Sequence, residues 1–331
     1  MATIPIYHAT IVPPVTGAMS TEYFENFLNT TMNSTSGELI TIMNHGKLVL
    51  SWRELVEQDL LITVDASIDT SLTVFNLDSN ASYSGVIDWG DGSADTILSG
   101  TGNTSISHTF TSTGVYQVRV SGSAVPRFRL SSQLNVVSVE NLGNVGLQTT
   151  DSMFSNCTNL VSVNIGNYVT SIEGGTFDGC TSLTSSTIGN SVTSIGNYAF
   201  YNCTSLTSIT IPDIVTSIGD IAFAYCTGLT SINIGNSVTS IGNYAFNSCT
   251  ALASIIIADS VTSIGSSAFR NCTLLATIDL SQPKSVIDGA TDIFLDTESP
   301  LTLNVPIGTS GWTADSGLSI GGNTNVTVNL V

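Results

Sequence analysis

The residues of this chain best suited to chemistry are six cysteines, three histidines and a short run of aspartates. Cys157, Cys180, Cys203, Cys226, Cys249 and Cys272 stand 23 residues apart without exception. Zinc needs about four ligands converging on one point, whereas a row at constant spacing spreads its thiols along a line. Neighbouring thiols on stacked units would fall near bridging distance, but side chains pointing the same way do not suit the bridge torsion. The spacing predicts a ladder of buried free thiols, in keeping with synthesis in a reducing compartment. His8, His45 and His108 occupy dissimilar contexts. Asp88, Asp91 and Asp95 lack EF-hand spacing, so Asp91 is expected to hold a turn and His108 to be packed and hydrogen-bonded. No Ser-His-Asp order with an elbow-like turn, no recognisable carboxylate pair and no phosphate loop is present. The expectation is a non-enzyme with no metal site and no cofactor.

The cysteines belong to a larger repeat. Phe154, Phe177, Phe200, Phe223, Phe246 and Phe269 keep the same step, as do Leu160, Leu183, Leu206, Leu229, Leu252 and Leu275. Three residue types in register define a 23-residue unit repeated six times. In residues 199–221, Leu206, Ile209 and Ile211 follow L-x-x-L-x-L spacing, and alternation places Ile209 and Ile211 on one face of a strand. Val215 and Ile218 mark a second inward-facing segment. Phe200 and Cys203, three apart, suggest a helical or 3₁₀ turn on the far side. Phe200, Cys203, Leu206, Phe223, Cys226 and Leu229 are thus read as the core ladder. A lone unit buries too little to fold, so the units must stack.

Outward rows are equally regular. Thr193, Thr216, Thr239 and Thr262 align, followed by Ser194, Ser217 and Ser240. These hydroxyls are the candidate binding residues, although Thr and Ser ladders also simply suit strands. Ser186 stands in an inward row otherwise held by Val163, Ile209, Ile232, Ile255 and Ile278, so that unit should be locally weaker. Ile256 breaks an outward row of Asn164, Thr210, Asn233 and Asp279.

With its A-F-x-x-C-x-x-L-x-x-I-x-I-P core, the repeat resembles the BspA-type leucine-rich-repeat family. The resemblance implies a surface-displayed protein used in adhesion, in host or partner binding, or in viral particles, and it brings no catalytic residues. Earlier in the chain, Trp89-Gly90-Asp91-Gly92, His108-Thr109-Phe110 and residues 114–120 resemble the PKD-type immunoglobulin-like β-sandwich, with Phe110 where Tyr is more frequent. That likeness implies a spacer or interaction module.

The expected fold is therefore mainly β: a leucine-rich-repeat β-solenoid with a 23-residue period, six full repeats and caps. A PKD-like β-sandwich and a short N-terminal arm precede it. Residues 1–58 form the arm, read as a docking segment or a small subdomain, with short helices starting at Thr21 and Ser51. Residues 59–125 form the sandwich, 126–306 the capped solenoid and 307–331 a terminal β-cap. Counting back 23 from Leu160 and Ile165 reaches Val137 and Leu142, which marks a degenerate first coil. Phe294 falls two residues late at the other end.

Charge narrows the partners. Seven basic residues face 25 acidic ones, for a net charge of −18. Nucleic acid requires a basic stripe and anionic membrane a polybasic patch, so neither is a partner. No apolar run is long enough to span a bilayer, and the start does not resemble a signal peptide. These features lead to the expectation of a virion-surface component, a fibre, spike or decoration contacting host or neighbouring subunits, itself included. The alternative is a cellular adhesin, exported by a non-Sec route, that binds host protein or glycan, or a scaffold subunit.

Overall fold

In the computed structural model, the described residues are 8–9, 38–44, 47–53, 59–74, 82–101, 105–125, 127–147, 149–280, 286, 290–297, 300–309, 311, 315–320 and 323–331. The chain divides into two units, residues 1–58 and 59–331.

In the first unit, Glu38–Asn44 and Lys47–Arg53 pair antiparallel from Glu38↔Arg53 to Asn44↔Lys47, and His8–Ala9 adds to the outer edge of Lys47–Arg53. The helix expected from Ser51 is therefore a strand through Arg53. Two β-prone runs separated by His45-Gly46 make a hairpin signal, and pairing overrides the weak helix start at Ser51. The helix expected from Thr21 lies outside the described residues.

The second unit begins with an alternating strand, Leu60–Asp65, whose Leu60, Ile62 and Val64 are fully buried. It pairs with Val115–Ala124, which continues to Ser82–Asp88 and Thr96–Thr101. A separate antiparallel pair, Ser71–Val74 with Ile106–Thr109, completes this part. On its other edge Leu60–Asp65 pairs antiparallel with Val136–Asn141, which in turn pairs parallel with Ser162–Asn164, the first long strand of the repeats. One sheet thus runs from the alternating strands into the coils, and the first coil presents no open edge there. Its register is Ser138↔Ser162 and Val139↔Val163, a step of 24 residues. The 23-residue count to Val137 is therefore one residue out. A one-residue slip exchanges the faces of a strand, and burial of Val136 and Val139 selects this register.

From there the protein is a β-solenoid with a period of about 23 residues. Each coil has a long strand such as Ser208–Thr210, a two-residue strand such as Ser217–Ile218 and a turn-rich third side. The short strands Ser171–Ile172, Ser194–Ile195, Ser217–Ile218, Ser240–Ile241 and Ser263–Ile264 form one unbroken parallel sheet. The long-strand row is interrupted. Ser185–Thr187 pairs back to Ser162–Asn164, but the next paired set is Ser208–Thr210 with Ser231–Asn233. Half-buried Ser186 lies at this first interruption with its Oγ unpartnered; a second one, between Ser231–Asn233 and Ser254–Ile257, has isoleucines on both sides.

Of the helical or 3₁₀ turn expected on the third side, the structure keeps the three-residue bond, Cys203 N–H donating to Phe200 O, and not a helix. Among the described residues no α-helix occurs. Tyr198 and Asn202 take left-handed φ of 58° and 56°, which stops a helix from propagating. The two positions recur along the stack as Ser152 and Asn156, Gly175 and Gly179, Ile221 and Tyr225, Tyr244 and Ser248, and Ser267 and Asn271. Alternate amides then have two fates. Tyr201 and Cys203 bond three residues back, while Tyr198, Phe200 and Asn202 donate to Asp220, Ala222 and Ala224 of the next coil. The backbone of this side is thereby satisfied between coils, as burial demands.

Inside, the phenylalanines from Phe154 to Phe269 stack at 5.1–5.6 Å between ring centroids, and Phe294 continues the column at 6.0 Å. Phe294 joins despite its late position because the third-side bonds lengthen to 24 residues, with Phe269 N–H donating to Ile293 O. Beyond it, Leu301–Val305 pairs parallel with Thr277–Leu280 and with Asn323–Leu330, and Asp315–Ile320 folds back antiparallel on the last.

Candidate functional site

The hydroxyl rows, the thiols, the Gly90–Gly92 corner and the third side are the places where chemistry could reside. Thr193, Thr216, Thr239 and Thr262 are exposed, with Ser194, Ser217 and Ser240 half-buried beside them. Each Thr hydroxyl donates to the carbonyl of the Thr one coil earlier, at 3.0–3.2 Å. The same carbonyl receives the backbone N–H of that coil at 2.8–2.9 Å. The row therefore offers solvent its methyl groups and hydroxyl lone pairs in fixed positions, with its hydroxyl protons already committed. Ser171 and Ser194 hydroxyls bond to each other at 2.9 Å.

The six thiols are buried and free. Each donates to a main-chain carbonyl of the preceding coil, Cys203 to Phe177 O and Cys226 to Phe200 O, at 3.2 and 3.1 Å. Burial pushes the Cys157 and Cys272 thiols up to about 12 and raises those of Cys180, Cys203 and Cys249 well above the ordinary value. A thiol kept protonated is neither nucleophile nor metal ligand. Phe200, Cys203, Leu206, Phe223, Cys226 and Leu229 are all fully buried.

In the corner, Asp91 takes the amide of Ser93 at 3.0 Å and lies 2.8 Å from His108 Nε2. Burial works to raise its carboxyl, but the Ser93 hydrogen bonds and His108 together lower it to about 2. The His108 ring stacks on Trp89 at 4.6 Å and meets the Phe110 ring edge-on at 4.8 Å. Trp89 Nε1 donates to Thr96 Oγ1. Gly90 and Gly92 have φ of 75° and 81°, and a Cβ at Gly90 would strike the Gln117 carbonyl. Asp91 and His108 thus bind the turn to the neighbouring strand. Among the described residues no three His, Cys, Asp or Glu side chains are grouped to hold a metal ion, and no helix is long and apolar enough to cross a membrane.

The third side carries a feature that does not follow the repeat. Tyr198, Tyr201, Ile221, Ala224, Tyr225, Tyr244, Asn247, Arg270 and Asn271 line a shallow cleft of about 510 Å³. The Tyr198 and Tyr201 rings meet at 5.8 Å and 66°, and Tyr201 and Tyr225 at 5.5 Å and 73°. Tyr198, Tyr225 and Tyr244 are each more than 40% exposed. The signal was present in the sequence as variation: where the Phe, Cys and Leu columns never change, this column reads Tyr201, Ala224, Asn247, Arg270.

Residues 147–307, just under half of the chain, match the family described as BspA type Leucine rich repeat region, in six copies. No curated protein matches the chain. Among solved structures, a leucine-rich-repeat protein of T. pallidum is 23% identical, covering 51% of this chain and 78% of that one, with a TM-score of 0.36. A leucine-rich cell surface protein of Faecalibacterium prausnitzii is 24% identical, covering 56% of this chain and 65% of that one, at a TM-score of 0.34. A leucine-rich-repeat protein of Bacteroides ovatus is 21% identical, covering 89% and 76%, with a TM-score of 0.36.

Proposed function

We propose that this protein is a non-enzymatic recognition protein of the cell surface, adhesin-like, which holds another protein against its solenoid. The carrying observation is the pre-ordered Thr row. Thr193, Thr216, Thr239 and Thr262 spend their hydroxyl protons on the coil before. A partner therefore meets a fixed array of acceptors and methyls that loses little rotamer freedom on binding. Such an array suits a partner surface rich in N–H and O–H donors, and a net charge of −18 steers basic surfaces toward it. Residues 59–125, with their Trp89–His108 corner, serve in this reading as a PKD-like spacer. Residues 1–58 serve as the docking segment. The narrower expectation of a virion component draws no support from any described feature, and the cellular surface reading takes its place.

Two measurements test it. Antibody against the chain should label intact producing cells; labelling only after lysis contradicts the surface location. Purified full chain should bind intact target cells saturably, protease treatment of those cells should abolish the binding, and Thr216→Lys with Thr239→Lys should weaken it at an unchanged unfolding midpoint. Unaltered binding of the double variant would remove the Thr row from the account.

A further inference from the structure

We propose that the tyrosine cleft on the third side is a binding site for an acidic saccharide, with the sugar ring against tyrosine and its carboxylate on Arg270. The site is separate from the Thr row and goes beyond the reading given for that row.

The cleft arises from three neighbouring columns of the stack. Its floor is the column Tyr201, Ala224, Asn247, Arg270, taken at steps of 23. The middle two residues are small and buried, so the surface sinks between the tyrosine at one end and the arginine at the other. Three coil steps of about 4.8 Å give a length near 14 Å. Tyr198, Ile221 and Tyr244 form one wall, with Tyr225 and Asn271 opposite. The volume of about 510 Å³ lies inside the range, roughly 300–1,000 Å³, of small-ligand sites.

The lining selects the ligand class. Of nine lining residues only Ile221 and Ala224 are aliphatic, so an apolar peptide side chain finds little to bury against. The remainder are four phenols, two amides and a guanidinium. Aromatic faces carry negative charge density and attract the polarised C–H face of a sugar ring, while phenols and amides both donate to and accept from hydroxyls. The tyrosines are held for this task. Tyr198, Tyr225 and Tyr244 all have left-handed φ, of 58°, 61° and 55°, and Ile221 between them is a β-branched residue at φ 60°, a conformation costing about 1–2 kcal/mol. The same left-handed φ recurs at these two positions in every coil, for instance at Ser152, Asn202 and Ser267, so the repeat's backbone fixes where the tyrosines stand.

Charge supplies the acid. Arg119, Arg127 and Arg129 each lie within 4 Å of a carboxylate, on Asp59 or Asp151. Arg270 has no carboxylate partner among the described residues; its Nε, like those of Arg127 and Arg129, is buried without a hydrogen bond. Against the repulsion of a net charge of −18, this guanidinium at the end of an aromatic cleft is the local group that would hold an anion. Its planar fork matches a carboxylate bidentately.

The test is calorimetric titration of the full chain with methyl glucuronide, with methyl glucoside as the neutral counterpart and with a glutamate-rich proline peptide. The glucuronide should bind at least about tenfold more tightly than the glucoside. Arg270→Gln should erase that preference, and Tyr225→Ala should weaken both sugars about tenfold without moving the unfolding midpoint. Tyr225→Phe, which keeps the ring, should retain binding of both. Absence of saturable sugar binding, a preference that survives Arg270→Gln, or binding of the peptide in place of the sugars would overturn the proposal. Cell binding through the Thr row would be unaffected by Arg270→Gln, so failure here and failure there are told apart.

Discussion

Two sets of columns run along the same stack, and they obey opposite rules. The Phe, Cys and Leu columns repeat without substitution from Phe154 to Leu275, and every member is fully buried. The columns through Tyr198, Tyr201 and Tyr225 change at each coil, and most of their side chains reach solvent. Identical side chains satisfy identical neighbours above and below, so a uniform column is what a one-dimensional core requires. A column that changes gives up that gain and produces a surface whose shape and charge differ from coil to coil. Uniformity marks the residues that fold the protein, and variation marks those free to recognise something.

The contrast is broken most severely from the inside. Phe223→Ala removes a ring stacked at 5.1 Å and 5.4 Å on both neighbours and should cost about 3–5 kcal/mol in denaturant unfolding. At the Trp89 corner, His108→Ala removes a stacking ring and the partner of Asp91, with an expected loss of about 1–3 kcal/mol. The effect should depend on pH. Asp91 is held below its ordinary 3.8, at about 2, so its contribution is complete above the ordinary value and disappears as pH falls through the lower one. Unfolding curves between pH 4 and 2 should fall more steeply for the natural protein than for His108→Ala. A smaller change sharpens the comparison in the other direction. Ser186→Val restores the inward row and deletes an unpartnered hydroxyl, and should stabilise by about 1 kcal/mol. The smallest expected change is Ile221→Asn, which relieves left-handed strain at φ 60° for a gain of about 0.5–1 kcal/mol.

Much of this architecture was legible in the sequence, because a period states which residues stack. The thiol ladder, the phenylalanine column and the odd serine at Ser186 follow from counting in steps of 23. The count failed where the chain stops repeating. The first coil pairs at a step of 24, since burial of Val136 and Val139 and pairing with Leu60–Asp65 set its register rather than the repeat. The three-residue spacing of Phe200 and Cys203 predicts a helical or 3₁₀ turn, and the bond between them forms without a helix following. Left-handed φ at Tyr198 and Asn202 is disguised when Tyr stands where Gly175 stood one coil before. The strand reaching Arg53 was missed because Ser51 looked like a cap while the hairpin partner lay upstream. The cleft leaves no mark on the period, since it consists of the residues that do not repeat.

The central claim, that uniform columns fold the protein and varied columns are spare, is tested most directly by thermal unfolding of a Tyr225→Asn, Tyr244→Asn double variant. Both positions are exposed and left-handed, and Asn tolerates that conformation better than Tyr. The account predicts an unfolding midpoint equal to that of the natural protein or higher. A fall comparable to that of Phe223→Ala would show that the tyrosine columns hold the coils together, and would contradict it.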